Sequence, residues 1–552
     1  MKVDDPNWHS RVEAPFEAGP PDGIAWDDAA DVVVVGLGGA GICAALEALH
    51  QGARVIAIDR FGGGGATRMS GGVYYSGGGT RYQKAAGVED DAEQMYRYLK
   101  MEVADAVADE TLRHFCETSS ESIDWLARHG VRFDGALSPV KTSYPGAGRF
   151  LYYSGNEAQA DYADHARPAQ RGHRVVGEGL TGHRFFDPLL QAALDMGLKL
   201  YGYSEARRFI LSDDGGIAGI QIQHVDAASS SAAKLGKIAR KFARASTLLF
   251  PSIAERLVRE ANGISDRDGA TRSIRIDKAV VLAAGGYIHN RKMVAHYAPR
   301  YTGAIPLGSI GCDGSGIRLG QSVGARTDRL DNISAWRQFN PPAAFPTGIV
   351  VNGRGERFVA EDCYGGKIGH HIAEDQGGVA YIILDDRLRR RALTEAMPGK
   401  GKLFRLQGAP ALMGLFLSAK RAATLEALAA RCGMDPAALR ASVEHYNRSS
   451  AGLEEPRFRK HPDFVGEIVE PPFHAVDISI HNRKYLCPSI SLGGIVVDEK
   501  TGQALDEAGR PIPKLFAAGK NAKGLSSHRY VSGISLADCV YSGRIAGRSA
   551  SR

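Results

Sequence analysis

Residues 31–49, DVVVVGLGGAGICAALEAL, restrict the fold more than any other stretch of the chain. Four consecutive valines suit a parallel strand buried on both faces. Gly36, Gly38 and Gly41 then spell G-x-G-x-x-G, and a helical pattern follows at once. GARVIAIDR comes next, a second strand-like run that reaches Asp59, 23 residues beyond Gly36. Strand, glycine turn, helix, strand and acid at this spacing predict dinucleotide binding. The glycines let a pyrophosphate approach the backbone at a helix N-terminus, where N–H groups and the dipole favour anions. Asp59 stands where an adenosine ribose would be held.

The stretch after Asp59, FGGGGATRMSGGVYYSGGGT, narrows the dinucleotide. A nicotinamide enzyme has no need of a second glycine-rich loop directly after its second strand. A chain that runs along the phosphates of FAD and under the flavin does. A loose surface loop is the competing reading, and Thr67 and Ser70, set among the glycines, favour cofactor contact. KAVVLAAGG at 278–286 and LFAAG at 515–519 read as strands that return to the same sheet and stop at glycines. YSEARRFILSDDGGIAGI at 203–220 reads as two strands around a DDGG turn. No other G-x-G-x-x-G stands in a strand-helix context, so no NAD(P)H site is expected beside the flavin site.

Composition excludes several other classes. The net charge of +6 over 552 residues is mild, and no recognition motif points to nucleic acid. Seven scattered cysteines form no C-x-x-C, which argues against a redox disulfide, a zinc knuckle or an attached haem, and no metal is expected. Their odd count suits a reducing compartment. The start, MKVDDPNWHS, is polar and acidic rather than a secretory signal, and no apolar run approaches the roughly 18 residues of a membrane span. A cytoplasmic protein is expected.

Together these segments resemble the fumarate reductase and 3-ketosteroid dehydrogenase flavoprotein superfamily over about residues 29–548. The markers are GLGGAG, GGATRMSGG, AAGGY at 283–287, NGRGERFVAED at 352–362, SLGGIVVD at 491–498 and LFAAG followed by SGISLAD. The resemblance implies an α/β fold with a discontinuous Rossmann-like FAD-binding domain, at 1–300 and 476–552. An α+β capping domain at 301–475 is inserted into it. FAD would be non-covalent, since TRMSGG lacks the histidine that the succinate dehydrogenase branch carries near this loop. The cofactor contacts expected in this frame are Gly36, Gly38, Gly39, Ala40, Gly41, Asp59, Arg60, Ala66, Thr67, Ser70, Gly71 and Gly72. Ala206, Gly285, Gly519, Asn521, Ser535 and Leu536 complete the set.

The substrate side separates the branches. Fumarate reductases hold a dicarboxylate with arginines and a histidine, because Arg binds carboxylate bidentately. In this chain Tyr530 stands for one such arginine, Ile490 for the histidine, and Tyr364 and Gly365 fall where a proton-donating arginine is expected. EDCYGGKIG at 361–369 and YVSGISL at 530–536 instead resemble the steroid branch, most closely the 3-ketosteroid Δ4-(5α)-dehydrogenases. YYSGGGTRYQKAAG at 74–87 and YYSGNEAQA at 152–160 carry the same likeness. The Δ1-dehydrogenases are the nearer rival and enone or fumarate-type reductases the further one.

That branch removes a proton alpha to a ring ketone and passes a hydride from the adjacent carbon to flavin N5. The carbonyl oxygen needs a hydrogen-bond donor as it gains enolate charge. A base must reach the alpha proton. Serine alone is a poor base, so Tyr364, Tyr530 and Ser532 are expected to share this work. The helix expected to start near Ser535, with Ser535 or Asp538 in its first turn, would favour negative charge at the pyrimidine end of the flavin. The electron acceptor is not specified by any haem or iron–sulfur ligand set.

One stretch departs from the family. Within 225–270, Leu235, Ile238, Phe242, Ala245 and Leu249 recur at helical spacing, and Lys234, Lys237, Arg240, Lys241 and Arg244 make the other face basic. The plain reading is a solvated amphipathic helix packed on its own domain. The alternatives are a peripheral contact with an anionic membrane, where steroids partition, or an oligomer contact.

Overall fold

The valine run forms the strand Asp28–Val35, with Val32, Val33 and Val34 fully shielded from solvent. The computed structural model describes residues 11–17, 24–139, 141–243, 251–397 and 407–552. Val55–Asp59 runs parallel to the valine strand on one side, and Lys199–Gly202 lies parallel beyond it. Ala270–Leu282 lies on the other side and is long enough to serve three neighbours. Its first half pairs antiparallel with Ile217–His224, and its end pairs parallel with Pro511–Ala517. One sheet therefore draws on both ends of the chain. Ser204–Leu211 and Ile217–His224 form the hairpin expected around the DDGG turn.

Two helices join the chain ends. Gly39–His50 leaves the first glycine turn, and Ile534–Ala550 closes the sequence. They pack backbone to backbone, since a Cβ at Gly543 or Gly547 would fall 2.4 Å from the Ala40 carbonyl oxygen or 2.2 Å from that of Ala44. Buried Glu47 accepts from Arg544 at 2.6 Å and Arg548 at 2.8 Å, so the charge taken out of water is paired. This contact fixes the segment before the terminal helix over the glycine turn.

A second, four-stranded antiparallel sheet forms within 349–477, in the order Ile349–Asn352, Ala380–Leu384, Phe473–Asp477, Ala419–Ala422. It has its own apolar core. The charged residues of NGRGERFVAED are structural there: buried Glu361 pairs with Arg357 at 2.8 Å and Lys460 at 3.2 Å.

The basic stretch forms the helix Ser230–Phe242. Leu235, Ile238 and Phe242 are buried against Leu257, Ala261, Ile264 and Ile310, while Lys234, Lys237, Arg240 and Lys241 are exposed. The chain itself thus covers the apolar face that a membrane or a second copy would need, as the plain reading holds. Arg244, Ala245 and Leu249 lie outside the described residues. No helix among the described residues is long and apolar enough to cross a membrane.

Candidate active site

The glycine turn is shaped by the fold at two positions and by something outside it at a third. Gly36 has φ +91, and a Cβ there would stand 2.4 Å from Ala284 Cα. A Cβ at Gly41 would be 2.0 Å from the Gly36 carbonyl oxygen. Gly38 has φ −88, which any residue adopts, and a Cβ there would meet nothing within 4 Å. The space ahead of Gly38 faces the start of a helix that no side chain caps. A cradle of that shape fits a pyrophosphate.

The second glycine loop folds onto the first rather than lying loose on the surface. It holds a short helix, Gly65–Met69, in which buried Thr67 accepts the Gly39 N–H at 3.0 Å. Ala66 beside it is half-buried. Ser70 Oγ donates to the Thr67 carbonyl at 2.8 Å and accepts the Gly72 N–H at 3.1 Å. The Tyr144 ring covers Gly71. Ala40 is packed from the far side, with a Cβ at Gly519 falling 2.7 Å from its own. Gly519 donates its N–H to Ser542 Oγ at 2.9 Å, and Gly285 follows the long strand with φ +87.

Asp59 carries more than the sequence suggests. Its Oδ1 accepts the N–H groups of Phe61 and Gly63, each at 2.8 Å, and Oδ2 that of Leu37 at 3.0 Å. The carboxylate first ties the two glycine segments together, and capacity for a ribose hydroxyl remains on Oδ2. Arg60 points elsewhere, to Asp313 at 3.1 Å and to Asn262. Ala206 lies beside Glu205, whose carboxylate is 4.0 Å from Arg60. Asn521 is fully buried and neither amide atom has a hydrogen-bond partner among the described residues. A buried amide left unpaired is costly, so it fits a position that meets a ligand.

The terminal helix starts at Ile534, and its N-cap is Gly533 in the left-handed region, φ +95, with no side-chain cap. The hydroxyls of Tyr530 and Ser532 before it are therefore not caps. Ser535 and Leu536 lie in the first turn, where N–H groups have no acceptor within the helix. A Cβ at Gly533 would be 2.9 Å from the Tyr75 nitrogen, so the turn is pressed against the strand below.

The three expected hydroxyl residues come together, and the structure adds a fourth. Tyr364 stands just before the helix Gly365–Glu374, its N–H donating to Asn156 Oδ1 at 2.6 Å. Its ring centroid is 6.3 Å from that of Tyr530 at 45°. Gly366 makes room, since a Cβ there would be 3.0 Å from both Tyr364 Cε1 and the Tyr530 carbonyl oxygen. Tyr152 Oη lies 3.5 Å from Ser532 Oγ. Tyr152 was visible in YYSGNEAQA, but nothing local in that stretch marks it as a partner of Ser532. Burial pushes the Tyr364 and Tyr152 phenols upward and Tyr530 to about 12, while the Ser532 hydroxyl acts in the opposite sense on the first two. All three are neutral donors near pH 7. A cleft of about 350 Å³ opens beside Tyr364, walled by Phe339, Pro346, Tyr153 and Cys363. Arg529 Nε has no hydrogen-bond partner among the described residues.

The profile of the FAD binding domain family matches residues 31–536, and the chain belongs to that family of flavoproteins. It is 37% identical over 517 residues to the 3-oxo-5-alpha-steroid 4-dehydrogenase of Comamonas testosteroni, covering 91% of this chain and 95% of the relative. The crystal structure of 3-ketosteroid-Δ4-(5α)-dehydrogenase from Rhodococcus jostii RHA1, in complex with 4-androstene-3,17-dione, superimposes with a TM-score of 0.80. The identity is 29%, over 98% of this chain and all of that one. The 3-ketosteroid Δ1-dehydrogenase of Sterolibacterium denitrificans, at 19% identity over 95% of this chain and 99% of its own, shares the fold with a TM-score of 0.64.

Proposed function

We propose that this flavoprotein dehydrogenates the saturated A ring of a 3-ketosteroid, forming the Δ4 double bond. The observation that carries the reading is the meeting of Tyr364, Tyr530, Ser532 and Tyr152 beside a cleft. FAD, when bound, supplies the oxidant that accepts a hydride from the carbon beta to the ketone. Gly36–Gly41, Ala66–Gly72, Asp59, Gly285, Gly519, Asn521 and the first turn at Ser535 and Leu536 are the residues that would hold it. Ala206 and Arg60 stand at the edge of that set.

The phenols do the donor work. Tyr364 and Tyr530 are half-buried, and a phenol held above its usual range keeps its proton and donates a hydrogen bond, so both suit the ketone oxygen as it gains charge. Ser532 takes the alpha proton while its own hydrogen passes toward Tyr152, 3.5 Å away. The 349–477 layer, which overlaps the capping segment read at 301–475, covers the reacting ring. The steroid named in the Rhodococcus structure supports the substrate class.

Arg529, beside Tyr530 with Nε unpartnered, favours a second reading in which an anionic enoate is the substrate. One anaerobic experiment separates the two. A saturated 3-ketosteroid is expected to bleach the bound flavin and give a product unsaturated between carbons 4 and 5. A 1,2 double bond would transfer the reading to the Δ1 branch. Reoxidation of the reduced flavin by fumarate would replace it with the anionic one.

A further inference from the structure

The proton taken from the substrate needs a way out of a site that excludes water, and a hydroxyl cannot keep it. The structure holds a row of polar side chains leading away from Ser532. Tyr75 and Tyr152 both pair with Gly172 in a small three-stranded antiparallel sheet, so the two tyrosines lie on one face with the glycine between them. A Cβ at Gly172 would fall 2.7 Å from Ser154 Oγ and 2.9 Å from Tyr152 Cε1, so the serine fills the space the glycine leaves. Tyr75 faces Glu157, whose Oε2 accepts the Gly155 N–H at 2.8 Å. Glu157 is 1% exposed. Its Oε1, Tyr75 Oη and Ser154 Oγ are all buried and none makes a well-formed hydrogen bond among the described residues. Three such atoms along one row are costly unless something they exchange hydrogen bonds with passes between them.

We propose that Glu157 receives the proton released from the substrate, carried from Ser532 through Tyr152 along the Ser154–Tyr75 row. The proposal rests on the dehydrogenase reading above. The balance is simple: the alpha C–H bond breaks, its electron pair enters the new C=C bond, and the departing proton moves to a carboxylate while FAD takes the hydride. The charged groups that face Glu157 are Arg171 and Lys141, with tyrosines 75, 98, 152 and 153 around them. Arg171 is already matched by Asp90 at 2.6 Å, both side chains fully buried. Burial holds the Glu157 carboxyl above its usual range, with Arg171 and Lys141 only partly opposing. Glu157 is a relay residue that acts through Ser532 and Tyr152.

The test is anaerobic stopped-flow reduction of the holoenzyme's flavin by a saturated 3-ketosteroid, across the acid-to-neutral range. Glu157→Gln keeps the shape and the Gly155 hydrogen bond but cannot take the proton. Flavin reduction should slow by more than about tenfold and lose its rise with pH, with flavin content and steroid affinity unchanged. Glu157→Asp should retain a displaced rise. An unchanged rate and pH profile in Glu157→Gln overturns the proposal. If that variant does not fold, a Glu157→Asp profile identical to wild type overturns it instead. If no 3-ketosteroid reduces the wild-type flavin, the dehydrogenase reading falls and takes this proposal with it. A wild-type response with an indifferent Glu157→Gln removes the relay alone.

Discussion

The glycine cradle and the hydroxyl cluster are built on opposite plans. The cradle is backbone, and most of it lies within 37 residues, from Gly36 to Gly72. Its geometry is set by close approach: Gly36 and Gly41 have no room for a Cβ, and Gly38 has room that the protein does not fill. The cluster is side chain, and its four members arrive from positions 152, 364, 530 and 532. Its geometry depends on the segment that carries Tyr364 meeting the one that carries Tyr530, and on the terminal helix being locked to Gly39–His50. Damage to the cradle should therefore cost the cofactor and leave the fold. Damage to the cluster should cost the reaction and leave the cofactor.

The largest expected effect is at the cradle, and it is a contrast within one motif. Gly38→Val should fold, because its φ is ordinary and its Cβ meets no protein atom, yet the purified protein should be colourless. Gly41→Val should fail to accumulate as folded protein, since its Cβ would sit 2.0 Å from a carbonyl oxygen. Flavin absorbance together with the melting temperature of the apoprotein separates the outcomes. A yellow Gly38→Val protein would break the comparison at its first limb.

At the cluster, Tyr364→Phe and Tyr530→Phe each remove one oxygen from a packed ring. Steady-state turnover of a 3-ketosteroid should fall about a hundredfold or more, with flavin content unchanged. Wild-type rates in both variants would return these residues to plain packing. Asp59→Ala should act more mildly, because the carboxylate is one of several groups that hold the loop. Flavin affinity should weaken by about ten- to a hundredfold if the ribose bond is the main loss, by the usual worth of one hydrogen bond to a charged group. Instability in the apoprotein as well would show that the Leu37, Phe61 and Gly63 hydrogen bonds matter more.

This contrast also explains how much could be read from the sequence. The cradle is legible because its cause is local: a buried strand, a turn that needs glycine and a helix stand in consecutive residues. The sheet closed by 278–286 and 515–519 is legible for the same reason, from short apolar runs that stop at glycines. The helix at 230–242 was legible as amphipathic, but its apolar face gave no sign of what would cover it. Leu257, Ala261 and Ile310 do so from elsewhere. Tyr364, Tyr530 and Ser532 were reached through family likeness, since no spacing rule brings position 364 to position 530. Tyr152 and Glu157 were out of reach, because their partners are set by a three-residue strand pairing at Gly172. The double role of Asp59 was hidden for a related reason: the loop it holds is defined by backbone N–H groups, which every sequence has.

The smallest expected effect is on alkaline stability, and it sharpens the comparison by pH. The cradle makes its contacts through backbone and through glycine, alanine, serine and threonine. The cluster has phenols that burial holds above their usual range, Tyr530 at about 12. An unfolded chain loses its tyrosine protons near pH 10, whereas Tyr530 in the fold keeps its proton until higher pH. Between those values the folded state binds more protons than the unfolded one, so stability falls as pH rises. Two pKa units correspond to roughly 2–3 kcal/mol at most. Tyr530→Phe has no proton to keep, so its melting temperature should decline less steeply than that of wild type through this window. The two should keep a constant offset below pH 10. Parallel curves throughout would mean that the Tyr530 hydroxyl is wetter than the structure places it, and that the ketone oxygen does not meet a dry donor there.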